Sequence, residues 1–369
     1  MNILEITSYP PPRAGWGMRV QLLKRHLEAR GHDCVVLNIG QSRRRPSPEY
    51  ETVLSGFDYL KKVWRYSARG YLAHVHVNGA SPQGFVLAIV AEIVNVIWGK
   101  RCILTFHAGA DQIYFPRPKY PWLLPMFWIL FGIPRRIICN STAVKDKIVE
   151  YGIAAEKILP IQAFSSQYLE FERQPLGAEV DAFYRHFPQL VFSYINIRPK
   201  FFPLTVLDGF AQVAARNPRC GLVLCGVGGY AEGDLQQAVA ERLRRADLTG
   251  RVLLIEDLEH DAFLTALSQS TIFLRSHISD GVCSSVLEAL ALKVPVVACA
   301  NGQRPPGVLT YTADNANDLS AVLTDALSRR DLLVSTLPIP EIPDTLTVEA
   351  DVLIGNGATH PRGDSVCAA

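Results

Sequence analysis

The sequence predicts an α/β protein of two doubly wound domains of similar size, facing each other across a cleft. Three observations carry this expectation. The chain has 369 residues, more than one ordinary core of about 100–200 residues holds. Short apolar runs alternate with stretches of helical period through the first half, and the alternation restarts near Leu190. Strands that alternate with helices make a parallel sheet covered on both faces.

In order, residues 3–7 form an apolar run that Pro10, Pro11 and Pro12 end, because proline neither continues a strand nor permits a clean helix start at that point. After Gly15-Trp16-Gly17 the period changes. Val20, Leu23 and Leu27 lie on one helical face and Gly31 stops the helix. Strands are expected over 34–39, 73–77, 102–106, 137–139 and 158–161, with helices over 83–98 and 142–151. The second half repeats the pattern. Strands are expected over 191–195, 221–225, 252–255, 272–275 and 294–298, and helices over 204–216, 234–246, 261–268 and 286–292. The polar stretch 170–189, interrupted by Pro175 and Gly177, reads as the linker region. The domains are therefore set at 1–180 and 181–330. Residues 331–369, rich in Pro, then Gly, Ser and Thr, read as a loosely held tail.

Hydrophobic residues make up 49% of the chain, which excludes a disordered or collagen-like protein. The formal net charge is +2, but residues 1–180 hold 22 Lys and Arg against 14 Asp and Glu, and the rest of the chain has the opposite balance. Such asymmetry points the first half toward an anionic partner or is simply solvated charge. The eight cysteines form no Cys-x-x-Cys pair and several sit in apolar runs, so zinc and a disulfide framework are not expected. The N-terminus lacks the features of a signal peptide and no run reaches 18 apolar residues, so a cytoplasmic protein is expected.

The ligand edge of a doubly wound sheet lies beyond the C-terminal ends of its strands. The segment Ser276 to Ala298 follows a strand that ends at Arg275, so it starts at that edge. Gly281 permits a tight turn, and a helix starting near Ser285 offers free amides and a positive end to an anion. Asp280 and Glu288 lie eight apart and could face one bound molecule. Ser285-x-x-Glu288 is equally a capping-box pattern, in which Glu288 would only bond back to the helix start.

Asp280, seven residues, Glu288-Ala289 and then Pro295-Val296-Val297 resembles the signature of retaining family 4 glycosyltransferases of the GT-B fold, with two Rossmann-like domains. The first acid is usually Glu; here Asp280 is one methylene shorter. The resemblance implies that Glu288 binds the donor ribose, that Asp280 lies near the transferred sugar, and that the amides of Val282, Cys283 and Ser284 line the diphosphate and sugar. The loop from Tyr9 to Gly17 resembles the family's first loop, and it implies donor contacts at Gly15 and Gly17, split here by Trp16. Glycine also lets backbone approach a phosphate closely. Thr105-Phe106-His107-Ala108-Gly109 resembles the family strand that ends in a histidine beside the reacting sugar, which makes His107 a catalytic candidate. His76 is a weaker case, read as a buried structural histidine. Arg198 and Lys200 follow the first strand of the second domain, where the family carries cations for the leaving group, although the usual Lys-Gly pair is missing. As exposed loop cations they need no such role.

No Asp-x-Asp occurs in the sequence, which argues against a metal-bridged diphosphate. The expected activity is therefore metal-independent transfer of a sugar from a nucleotide-diphosphate donor to a hydroxyl acceptor, with anomeric retention, the acceptor being a sugar, a lipid-linked sugar or a polysaccharide. The nucleotide sugar is a substrate, and neither cofactor nor nucleic-acid partner is expected. A GT-B-like nucleotide-sugar epimerase and a degenerate, non-catalytic transferase subunit are the alternatives. The apolar stretch 120–133 is too short to span a bilayer, which takes about 20 residues. It reads either as a buried helix or as an interfacial segment, with Trp122 and Trp128 at an anionic membrane surface that delivers a lipid-linked sugar acceptor.

Overall fold

The computed structural model describes residues 1–10, 15–109, 112–116, 120–227, 233–279 and 283–355. The chain divides into two units, one of Met1–Gln167 with Ile342–Ala369 and one of Tyr168–Glu341.

The first unit runs β1 (Asn2–Thr7), α1 (Gly15–Ala29), β2 (Asp33–Asn38), α2 (Gly56–Ala68), β3 (Leu72–Val77), α3 (Pro82–Ile97), β4 (Ile103–Phe106), α4 (Leu124–Gly132), β5 (Arg136–Cys139), α5 (Thr142–Val149) and β6 (Ile158–Pro160). Its strands pair in parallel in the order β2-β1-β3-β4-β5-β6, with Ile3 opposite Cys34 and Leu72, and His76 opposite Thr105. Helix starts are local decisions. Ser55, Ser81 and Ser141 each accept a bond from the amide three residues on, and Pro82 occupies the first turn of α3. Right-handed crossovers put α1 on one face of this sheet and α2 to α5 on the other. The crowded face buries Tyr59 and Val63, Phe85 and Ala88, Phe127 and Phe131, and Val144 and Ile148 in one cluster.

The second unit continues with α6 (Ala178–His186), β7 (Gln189–Tyr194), α7 (Pro203–Arg216), β8 (Cys220–Cys225), α8 (Asp234–Leu243), β9 (Val252–Ile255), α9 (His260–Ser268), β10 (Ile272–Arg275), α10 (Ser284–Ala291), β11 (Val296–Cys299), β12 (Leu309–Tyr311), α11 (Ala316–Ser328) and α12 (Arg330–Thr336). Its parallel order is β12-β11-β10-β7-β8-β9. Winding proceeds outward from β7 to β9, then reverses and proceeds from β10 to β12 on the other side. One face is closed by Val206, Phe210, Leu319 and Leu323, and the other by Phe263, Leu264, Val286 and Leu290.

The chain then returns to the first unit as α13 (Thr345–Ile354). Leu346, Ala350 and Leu353 pack with Leu23 and Leu27 of α1 and with Leu72, Ile103 and Ile138 of the sheet. The reason is topological. With α1 alone on that face, the apolar backs of β3, β4 and β5 need a second cover, and α13 supplies it.

This corrects the expected tail. Residues 330–336 and 345–354 are helical and the second of these helices is packed on the first unit, whereas 356–369 lie outside the described residues. The boundary also moves from 180/181 to 167/168, because α6, expected as linker, sets Phe183 against the core of the second unit. Helix α1 starts at Gly15, five residues before the first apolar position that signalled it. Elements α2, β12 and α11 were not expected from the sequence.

Candidate functional site

In the first unit the order of strands reverses at β1, which lies between β2 and β3. The ligand edge is there, at the C-terminal ends of β1, β3 and β4. Gly15 opens α1, and a Cβ at that position would meet no atom of the described residues within 4 Å. Gly17 is different: a Cβ there would press on the Ser8 carbonyl at 3.2 Å and on the Pro10 ring at 3.3 Å. Gly17 thus lets the helix start approach its own preceding loop. Between them the Trp16 ring sits edge-on to His107, centroids 4.9 Å apart. The structure brings Gly15, Gly17 and His107 together.

Behind His107 lies a buried polar chain that sequence reasoning missed. His107 Nε2 is 2.8 Å from His76 Nδ1, and His76 Nε2 is 2.7 Å from Glu5 Oε2. The Glu5 carboxylate also meets His74 Nδ1 at 2.9 Å, and His74 Nε2 is 2.7 Å from the Thr105 hydroxyl. Glu5, His74 and His76 are buried. Burial alone would raise the Glu5 pKa, but the charge of His74 and bonds from both histidines hold it at about 2. Burial opposes charge on His74, yet the Glu5 carboxylate outweighs it and raises the pKa. Burial and the charge on His74 lower that of His76, and burial with the neighbouring histidines pushes His107 well below the usual range.

These charges order the protons. Glu5 accepts from His74 and from Nε2–H of a neutral His76. His76 Nδ1 is therefore an acceptor, and His107 must donate to it from Nε2. His107 is fixed in one tautomer, with Nδ1 unprotonated. Ligand atoms of Glu5, His74 and His76 all lie within 4.8 Å of one another and have the chemistry to hold a metal ion. Each of those atoms already has a hydrogen-bond partner at 2.7–3.0 Å, so proton sharing accounts for the cluster. The sequence signals were an acid inside the apolar run of β1 and a His-x-His on a strand buried at all six positions.

In the second unit the reversal falls between β7 and β10. The loop after β7 carries Arg198 and Lys200, both exposed. It is tied to the loop after β10, since the Ile278 amide donates to the Lys200 carbonyl at 3.2 Å. Phe201 packs against His277 with the rings tilted and their centroids 4.3 Å apart, and it lies under the Arg275 guanidinium at 5.3 Å. Phe202 has φ of +49°, in the left-handed region, and turns the chain abruptly into Pro203 and α7. Such a residue costs about 1–3 kcal/mol. The cation loop is therefore held in one strained shape.

Asp280 and Val282 lie outside the described residues. Cys283 is the residue before α10, half-buried, and Ser284 begins the helix. Ser285 does not cap it, and no side chain among the described residues does. Glu288 is the fifth residue of α10, buried, and its Oε1 is 3.1 Å from Nε2 of His260 at the start of α9. The capping-box reading of Glu288 is thus corrected, because the N-cap is Cys283 and the helix begins two residues earlier than that pattern requires. His260 carries no spacing signal that would have revealed it. Cys283, Ser284 and Glu288 share one helix start beside the β7–β10 edge.

Two parallel doubly wound units, each with its candidate residues at a strand-order reversal, define an α/β protein of the GT-B class. Residues 14–162 match the sequence model of Glycosyltransferase Family 4, and residues 188–328 match that of Glycosyl transferases group 1. The chain belongs to the family 4 glycosyltransferases. Solved structures agree in fold. Anabaena HepE in complex with UDP and glucose is 13% identical, with a TM-score of 0.67 over 96% of this chain and 99% of its own. A glycosyltransferase from Rickettsia africae is 14% identical, with a TM-score of 0.64 over 96% and 100%. A putative UDP-N-acetylglucosamine 2-epimerase from Listeria monocytogenes is 12% identical, with a TM-score of 0.67 over the full length of both. No curated protein matches the chain.

Proposed function

We propose that this glycosyltransferase moves a sugar from a nucleotide-diphosphate donor to a hydroxyl acceptor, with retention at the anomeric carbon and without a metal ion. The observation that carries the reading is Glu288: buried at a strand-order reversal, bonded to His260 and not needed to cap its helix. In this reading Glu288 binds the donor ribose, and the amides at the start of α10, those of Cys283 just before it and Ser284, face the diphosphate. Arg198 and Lys200 offset the charge of the departing nucleoside diphosphate, whose phosphate takes the acceptor proton. Asp280 and Val282 complete the donor contacts. Gly15 and Gly17 approach the donor, and His107 offers its Nδ1 lone pair to a hydroxyl of the transferred sugar. No cofactor takes part. The UDP complex of the HepE neighbour supports a nucleotide-linked donor. The acceptor is a sugar carried on a lipid, and the enzyme works at the cytoplasmic face of a membrane.

Incubation with a panel of nucleotide sugars in EDTA, followed by NMR of the anomeric proton in the product, tests this reading. Retained configuration is expected; inversion, or activity recovered only with Mg²⁺ or Mn²⁺, overturns it. Arg198→Ala and Lys200→Ala should each weaken nucleoside-diphosphate binding more than nucleoside binding, and equal losses would remove both cations from the leaving group. The likeness to the Listeria epimerase keeps one second reading, epimerisation of the donor. The same incubation reports it as a new donor epimer with no transfer product.

A further inference from the structure

We propose that the outer face of α2, α3 and α4 is a docking surface for an anionic lipid bilayer. The inference rests on the membrane part of the reading above and extends it from the segment 120–133 to a three-helix face.

Helix α3 is apolar on both sides. Phe85, Ala88, Ala91 and Val94 face the core, while Val86, Ile93, Val96 and Ile97 face outward, with Ile97 60% exposed. A helix apolar all round belongs inside a protein or against an apolar phase. Its neighbours on the same face of the sheet continue the surface. On α2, Phe57 is 78% exposed, and Leu60 and Trp64 follow at helical spacing. The Trp64 ring lies 5.4 Å from Trp98 at the end of α3, so the patch runs unbroken from one helix to the next. On the other side of α3, Trp122 is 68% exposed, and Trp128 and Ile129 of α4 also face outward. Isolated exposed hydrophobics are ordinary, but a run across three adjacent helices marks an interaction surface.

Charge selects the occupant. No exposed position of α2, α3 or α4 carries an acid: Asp58 is half-buried against Lys62, and Glu92 points into the core. Exposed Lys61 and Arg69 flank the α2 side, Arg101 lies in the loop after α3, and Arg136 lies at the start of β5 after α4. Four of the five tryptophans lie on this face. An apolar centre, a cationic border and amphipathic indoles match a bilayer interface with anionic headgroups. The segment 120–133 is accordingly both things the sequence allowed, since Phe127, Leu130 and Phe131 are core while Trp122 and Trp128 face outward.

The test is flotation of the full-length protein with vesicles of phosphatidylcholine alone or with 30% phosphatidylglycerol (about 10-fold tighter binding expected with the anionic lipid), at low and high salt. Binding should weaken as salt rises. Phe57→Gln, Ile93→Gln and Ile97→Gln together should weaken binding to anionic vesicles by roughly tenfold or more, since three exposed apolar side chains no longer enter the interface. These positions leave the core intact, and an unchanged melting temperature checks that. Wild-type protein that ignores anionic vesicles at low salt overturns the proposal. So does a triple variant that binds as the wild type while Trp122→Gln does not, or light scattering that finds a dimer which the triple variant dissociates. Transfer to a soluble acceptor, read in the same preparations, separates failure of the membrane surface from failure of the transferase reading.

Discussion

The Arg19 guanidinium on α1 reaches the Glu349 carboxylate on α13 at 2.6 Å, joining residues 330 apart in sequence, with both side chains almost fully buried. The same guanidinium donates to the Ala163 carbonyl and to the hydroxyl and carbonyl of Thr345. Arg19 therefore fastens the chain's last described helix to its first. The other Glu349 oxygen faces His74 at 3.9 Å, which links the fastening to the polar chain behind His107.

Removing one partner of a buried ion pair strands the other. Glu349→Ala should cost about 3–5 kcal/mol, seen as a lower urea midpoint in denaturation of the full chain. The double change Arg19→Met with Glu349→Leu should recover much of it. If the double variant is as unstable as the single, burial of an unpaired charge is not the cause.

Glu5 and His76 act on His107 only through its proton. In ¹H–¹⁵N spectra, wild-type His107 should show a protonated Nε2 and an unprotonated Nδ1, and His76→Phe should release that preference. Because the folded pKa of His107 lies well below 6.5, it stays neutral between pH 6 and 8, and kcat should show no inflection from it there. His107 contributes stability that is present above pH 6.5 and lost as pH falls, since the unfolded chain then takes the proton first. A His107 that titrates near pH 6.5 would dissolve the proton ordering.

Glu288→Gln keeps the size of the side chain and the fold of α10 but removes the carboxylate. Donor affinity should fall about 10-fold or more, as for a lost charged hydrogen bond, with the melting temperature little changed. His260→Ala should weaken donor binding less, because it only orients Glu288. Calorimetric titration with nucleoside diphosphate measures both. Unchanged affinity in folded Glu288→Gln would return this residue to a purely structural role.

Glu92 lies buried under α3, with no hydrogen-bond partner for either carboxyl oxygen among the described residues. Burial raises its pKa well above 4.5, so the native chain keeps a proton that the unfolded chain releases. Its stability contribution is lost as pH rises from 4.5 toward that raised pKa. Glu92→Leu should therefore stabilise the protein by about 1–3 kcal/mol, and by more at pH 8 than at pH 5. Equal gains at both pH values would show that Glu92 does not change its protonation on unfolding.

Much of the fold was legible because period survives in sequence. The parallel strands are mostly continuous apolar runs, and serine marks the starts of α3 and α5, followed in α3 by Pro82. What was missed has a physical cause in each case. Helix α13 was hidden because Pro338, Pro340 and Pro343 precede it, and because the surface it covers belongs to strands some 200–350 residues earlier. Helix α2 has ordinary polar and apolar spacing, but its outward positions Phe57, Leu60 and Trp64 blur it. In the site, Gly15, Gly17 and His107 could be placed from strand and loop order, whereas the Glu5–His74–His76 chain required knowing that β1, β3 and β4 are neighbours. Glu288 was readable as an acid at a helix start; its bond to His260 was not.

The return of α13 to the first unit also sets the order of events at the ribosome. The first 167 residues emerge with the backs of β3, β4 and β5 uncovered, and the residues that seal them are made only after the whole of 168–341. At a synthesis rate of about 5–20 residues per second, the unsealed sheet waits on the order of ten seconds or more. In that interval the second unit has all its strands and can finish folding first. The domain synthesised first is thus the one completed last, and its vulnerable period in the cell is the time taken to translate the other.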